Sequence, residues 1–171
     1  MPSSSFDDVV ARVRALPKRS RVAIDGVSAA GKTTFADALS REVEGVVRVS
    51  LDDFLAPPPR IVYYPDAFDI PRFRSHLATI DATVVADGLF LHHPSLRDLW
   101  TLSVFLRCDQ RVAMERGIAR DGSWMENARE RYETRYVPEE KRYLDEVDPA
   151  SLADIVVETD EPVVPKRLQP G

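Results

Sequence analysis

One cysteine, Cys108, occurs among 171 residues, so an internal disulfide and a cysteine-built metal cage are both excluded. It follows an apolar run and reads as a buried, inert thiol. The three histidines, His76, His92 and His93, have no metal-ligand spacing with that thiol and read first as packing or turn residues. No apolar run approaches bilayer-spanning length, and Met1–Asp8 has no basic stretch followed by an apolar one. These absences predict a cytoplasmic protein that does not engage a membrane. Positive charge is also in deficit: 23 Lys and Arg against 28 Asp and Glu leave a net charge of −5. That balance argues against a dedicated nucleic-acid surface, and it predicts that basic groups gather around one small anionic ligand. The length fits a single domain, residues 1–171, with enough apolar residues (44%) to bury a core.

Glycine is scarce, with seven in all, yet two of them frame one run: Gly26-Val27-Ser28-Ala29-Ala30-Gly31-Lys32-Thr33. The run has the phosphate-binding (P-loop, Walker A) pattern. Gly26 and Gly31 permit a tight loop whose backbone N–H groups, from Ser28 through Thr34, can turn onto phosphate oxygens. Lys32 can reach the β- and γ-phosphates of a nucleoside triphosphate, and the Thr33 hydroxyl can ligate Mg²⁺. Context agrees, because Arg21–Asp25 before it is a β-branched apolar run and Thr34–Leu39 after it is helix-prone.

Phe6, Val9, Val10, Val13 and Leu16 recur at helical spacing, which predicts an amphipathic helix over residues 6–16, stopped near Pro17. Further strands are predicted at Val46–Ser50, Thr83–Ala86, Leu102–Leu106 and Ile155–Val157, separated by helical stretches. Strands alternating with helices predict an α/β fold: a five-stranded parallel sheet with helices on both faces. Asp109 should cap a helix from Gln110 to about Arg120, with Gly122 ending it. Ser123–Tyr136 is expected to form a second helix bounded by Pro138, and Glu139–Val147 a third, together making a short helical lid. Pro57–Pro59 belong to a loop, and the proline-rich tail from Pro162 to Gly171 is expected to be poorly ordered or weakly docked.

Ligands of open parallel sheets sit at the carboxyl ends of the strands. Asp52 and Asp53 follow the second strand and Asp87 follows the third. A carboxylate there can hold Mg²⁺ through water, and another can take a proton from an attacking hydroxyl, whereas helix capping or turn solvation is the bland alternative for each.

Four segments occur in an order that resembles the uridine kinase and phosphoribulokinase family of P-loop kinases. They are Gly26–Thr34, Ser50-Leu51-Asp52-Asp53-Phe54, Tyr64-Pro65-Asp66-Ala67-Phe68-Asp69 and Asp87-Gly88-Leu89-Phe90, with the likeness spanning residues 20 to about 160. The resemblance implies that Asp52 is the base toward an acceptor hydroxyl, that Asp66 faces an acceptor diol, and that Asp87 lies near metal and phosphates. It also implies that Arg116 and Arg120, one helical turn apart, lie over the transferred phosphate, with Arg129, Arg131 and Arg135 as weaker candidates. Phe54, Tyr63 and Tyr64 lie close enough to these landmarks to line the acceptor pocket, with plain packing the open alternative for Tyr64, while Trp100 and Trp124 read as core or lid packing. One departure stands out. Only seventeen residues separate Asp69 from Asp87, and the longer insert with which uridine kinases read the base is missing.

The expected activity is therefore transfer of the γ-phosphate of ATP, with Mg²⁺, to a hydroxyl of a small nucleoside-like acceptor. Two alternatives stay open: a kinase for a sugar, vitamin precursor or other hydroxyl compound, and a nucleotide-binding regulatory ATPase.

Overall fold

The computed structural model describes residues 3–58 and 63–170. Five strands, β1 (Arg21–Gly26), β2 (Val46–Ser50), β3 (Thr83–Gly88), β4 (Leu102–Arg107) and β5 (Ile155–Glu158), form one parallel sheet in the order β2-β3-β1-β4-β5. The expected five-stranded parallel sheet is what the chain forms. β1 lies at its centre, with Asp25 opposite Gly88 of β3 on one side and Phe105 of β4 on the other.

Alternation along β1 divides its side chains between two cores. Val22 and Ile24 join Phe6, Val9, Phe35 and Leu39, from α1 (Phe6–Arg14) and α2 (Lys32–Glu42). Ala23 joins Val84, Ala86, Phe73 and Leu77, the last two from α3 (Ile70–Ala78). With both faces covered, the central strands read as nearly unbroken apolar runs. Ile24 is fully enclosed, and its burial stabilises the fold by about 1.5–3 kcal/mol.

α1 forms where the spacing predicts, and a capping box starts it: Asp8 N–H donates to Ser5 Oγ (3.2 Å) and Ser5 N–H to Asp8 Oδ2 (2.7 Å). Phe6 meets Phe35 of α2 edge-on at 5.1 Å. α4 (Gln110–Asp121) begins after Asp109, whose Oδ1 accepts from Arg111 N–H at 2.8 Å, and gives way to Gly122.

Two expectations need correction. Ser123–Asn127 is a turn, and the helix begins only at α5 (Ala128–Arg131). It then passes through a π-helical turn at Tyr132–Tyr136 into α6 (Val137–Val147) without a break at Pro138. In the wide turn Val137 N–H reaches back five residues to Tyr132 O, and Pro138 follows directly, where the widened ladder absorbs its missing N–H. The lid is thus one long helix. It rests on α4 because Gly117 leaves room: a Cβ there would stand 2.3 Å from Tyr132 Cζ.

The tail also departs from expectation. Val164 and Leu168 are buried in the first core, and Arg167 pairs with Glu42 at 2.7 Å. Apolar anchors decide its docking, whereas its prolines suggested looseness. A four-residue helix, α7 (Pro149–Leu152), leads into β5. Pro57 and Pro58 are loop residues as expected, while Pro59 and Gly171 lie outside the described residues. Among the described residues no helix is long and apolar enough to cross a membrane.

Candidate active site

β1 ends where the loop 26–31 begins, and close packing explains its first glycine. A Cβ on Gly26 would stand 2.9 Å from the Leu106 carbonyl oxygen of β4. Gly31 has φ +95° and Ala29 φ +59°, so the loop turns through left-handed backbone at two places, one of them strained for a residue with a side chain. α2 then starts at Lys32 with no side-chain cap and no acidic residue in its first turn. Its leading N–H groups and dipole are left to face an anion.

Lys32 Nζ donates to Val27 O at 2.7 Å. Burial of the ammonium pulls its pKa down, opposed by the charges of Glu140, Asp25, Asp52 and Asp87. Thr33 Oγ1 lies 3.4 Å from Asp87 Oδ2, while Asp87 Oδ1 is held by Arg48 Nη2 at 2.8 Å. Asp87 is 1% exposed, and burial raises its pKa against the pull of Arg48 and Lys32. Two hard oxygens, Thr33 Oγ1 and Asp87 Oδ2, thus stand together beside the loop, a donor set that suits Mg²⁺.

Asp52 sits in a 3-10 turn, Leu51–Phe54, after β2. The turn comes close to β3 because Gly88 lacks a side chain: a Cβ there would lie 2.5 Å from Leu51 Cβ. Asp52 lines a cavity of about 440 Å³ together with Ser28, Lys32, Thr33, Arg116 and Arg120. Asp53 does not line it, and its carbonyl is engaged by Arg72. Arg116 is fixed by the carbonyls of Thr159 (2.6 Å) and Asp160, beyond β5. Arg120 is braced by Asp121 (2.8 Å) and by Tyr132 Oη (3.2 Å). Arg129 lies away from the cavity in surface pairs with Glu115 and Glu133.

Sequence reasoning missed the groups behind the loop. Asp25, fully buried, accepts from Gly26 N–H at 2.7 Å and from the Tyr143 hydroxyl at 2.5 Å, and it lies 2.7 Å from His92 Nδ1. Glu140 is 3% exposed, accepts from Ser28 Oγ, and lies 3.5 Å from the Tyr63 hydroxyl. Burial pushes the Glu140 carboxyl above its ordinary range, with the Ser28 bond and Lys32 opposing. α6 therefore grips the base of the loop through Tyr143 and its wall through Glu140. The signal was present, since Glu140 shares a helical stripe with Tyr143, Leu144 and Val147.

Two residues offered as acceptor-pocket lining are packed inside instead, which for Tyr64 is the alternative left open. Tyr64 is 1% exposed, packed on Phe90 at 4.8 Å and Tyr143 at 5.5 Å, and Phe54 is buried edge-on against Phe73 at 5.2 Å. Both are core. Their neighbours Tyr63 and Leu55 line a second cavity instead, beside Ala67, whereas Asp66 is exposed in the same loop. Trp100 is half-buried against the second core, donating to Leu91 O, but Trp124 is 69% exposed. A larger cavity, about 760 Å³, lies at the opposite end of the sheet, around Arg19, Gly45 and Asp81, away from the strand ends that carry these groups.

No family model matches the chain, and no curated protein does either. Solved structures do. A possible uridine kinase from Bacillus stearothermophilus is similar over 89% of this chain and 96% of its own, at 21% identity and a TM-score of 0.67. A candidate fructose transport system kinase from a Silicibacter species is similar over 90% and 99%, at 17% identity and 0.74. Shikimate kinase from Bacteroides thetaiotaomicron is similar over 87% and 90%, at 17% identity and 0.53. At these identities the likeness speaks for architecture, and the architecture is that of the P-loop kinases.

Proposed function

We propose that the protein is a small-molecule kinase that moves the γ-phosphate of ATP to an alcohol. The observation that carries this reading is the cavity in which the loop residues, Asp52, Arg116 and Arg120 meet. An acceptor hydroxyl attacks the γ-phosphorus and loses its proton to Asp52 while the bond to the bridging oxygen breaks and ADP leaves. Gly26, Ser28, Ala29, Ala30, Gly31, Thr33 and Thr34 form the cradle, and Lys32, Arg116 and Arg120 face the charge that spreads over the phosphoryl oxygens. Thr33 and Asp87 would hold Mg²⁺, which when bound neutralises phosphate charge. Arg48 opposes the burial that raises the Asp87 pKa and, by holding Oδ1, leaves Oδ2 toward Thr33. A hollow of about 310 Å³ on the other side of the loop, between Ala30, Phe35 and the tail residues Val163 and Val164, has room for the nucleotide's base.

A nucleoside-like acceptor, with Asp66 toward its diol, follows from the sequence resemblance. The missing base-reading insert favours a second reading, another hydroxyl compound, and the named neighbours span nucleoside, sugar and shikimate kinases. A regulatory ATPase needs no acceptor wall, which Asp52 supplies. The test is ADP release with ATP and a panel of nucleosides, sugars and hydroxy acids against an acceptor-free blank. Acceptor-dependent release, lost in Asp52→Asn, is expected. Release that ignores every acceptor overturns the reading in favour of the ATPase.

A further inference from the structure

The second cavity, about 640 Å³, adjoins the phosphate cleft through Tyr63, whose hydroxyl faces the Glu140 carboxylate that also holds Ser28. Its walls are ring and hydrocarbon: Leu55, Tyr63, Met125, Tyr136 and the exposed indole of Trp124. Tyr63 and Tyr136 lie 5.1 Å apart, and Arg135 stands 6.0 Å over the Tyr63 ring. The charged groups lining it are Arg131 and Arg135, and no described lining residue is acidic. This is unusual for a chain of net charge −5.

The rest of the same helix shows what its cations ordinarily do. Arg129 pairs with Glu115 and Glu133, Lys141 with Asp145, and Arg142 with Glu146. Among the described residues, Arg131 and Arg135 have no carboxylate partner. Two guanidiniums four residues apart, facing one aromatic hollow without a counter-charge, form a receptor for a planar anion.

We infer that this cavity seats the phosphate acceptor and that the acceptor is itself anionic: an alcohol with a flat apolar body and a carboxylate or phosphate monoester held by Arg131 and Arg135. The inference rests on the kinase reading for the word acceptor, and on the cavity alone for the ligand's charge. Tyr63 and Trp124 offer the ring surfaces for the flat body, with the hydroxyl end reaching past Tyr63 toward Asp52 in the adjoining cleft. A neutral nucleoside lacks the group that the two arginines recognise.

Two matched probe pairs test it: uridine 5′-monophosphate against uridine, and 3-phenyllactate against its methyl ester. Binding is read as quenching of tryptophan fluorescence that disappears in Trp124→Phe. The charged member of at least one pair should bind about tenfold more tightly than its neutral partner, with the preference abolished in Arg131→Gln/Arg135→Gln and weakened by salt. The pair that responds distinguishes phosphate from carboxylate. Equal binding within both pairs, an unchanged preference in the double variant, or no saturable quenching by either charged probe overturns the inference. ADP release is scored separately. Turnover of neutral acceptors alone retains the kinase and removes the anionic acceptor, whereas charged-probe binding without acceptor-dependent turnover retains the anion site and removes the kinase.

Discussion

The phosphate cleft and the aromatic cavity beside it are built in opposite ways. The cleft is made of backbone held from behind: Gly26 against β4, Asp25 tied to Tyr143 and His92, and Arg116 clamped by two carbonyls. The cavity is made of side chains held loosely, with Trp124 mostly in solvent and two arginines unpaired among the described residues. Preorganised polar groups need no rearrangement at the moment of reaction, so the first region suits chemistry. An open aromatic wall with unpaired cations suits recognition, and substitutions there should alter which compound reacts more than how fast bond-breaking proceeds.

The sharpest way to break this contrast is Lys32→Ala, expected to lower kcat about 10³-fold in a steady-state ADP-release assay while Trp124 quenching by acceptor probes persists. Loss of both would show that the two regions are not separable. Asp52→Asn should come next, with kcat reduced about 10²-fold or more and ATP affinity by calorimetry retained. Normal turnover in that variant removes Asp52 as the base.

Tyr143→Phe strips the buried Asp25 of one donor and should destabilise the fold by about 1–3 kcal/mol in urea unfolding. A similar loss is expected for Gly117→Ala, whose methyl group would collide with Tyr132 and push the long helix off α4. The Gly117 variant should also disturb Arg120, because Tyr132 braces it.

The smallest effect concerns pH. Burial raises the Glu140 pKa, so the native chain holds that proton more tightly than the unfolded one does. Its contribution to stability is fully present below the ordinary carboxylate value of 4.5 and is lost as pH rises through the raised native value. Unfolding of Glu140→Gln, followed from acid to neutral pH, should therefore gain on the wild-type chain as pH increases. A constant difference between the two would mean that Glu140 titrates as though in water.

How much of this was legible in the sequence follows the same division. The loop was readable because its pattern lies in consecutive residues, and the backbone turns left-handed within that run, at Ala29 and Gly31. Strand ends could be located, so Asp52 and Asp87 could be singled out, and the structure brings both beside the loop. The acceptor wall was less accessible, since neighbouring residues point in different directions: Tyr64 went to the core and Tyr63 to the cavity, a difference of one position. Glu140 was hidden among Glu139, Lys141, Arg142, Asp145 and Glu146, a stretch that reads as a solvated helix face until its one buried stripe is followed. Arg48, midway along the edge strand β2, carries no local sequence signal that it partners both Asp37 and Asp87. The tail and Pro138 were misjudged for a common reason: proline frequency marks where a helix or strand is disfavoured, but it says nothing about the apolar anchors or widened turns that absorb it.

The uninterrupted helix from Ala128 to Val147 has a mechanical corollary. Near its start it presents Arg131 and Arg135 to one compartment, and a few turns later it presses Glu140 and Tyr143 onto the other. Because one helix borders both compartments, a ligand that displaced it in one would be felt in the other, and any such link would run in both directions.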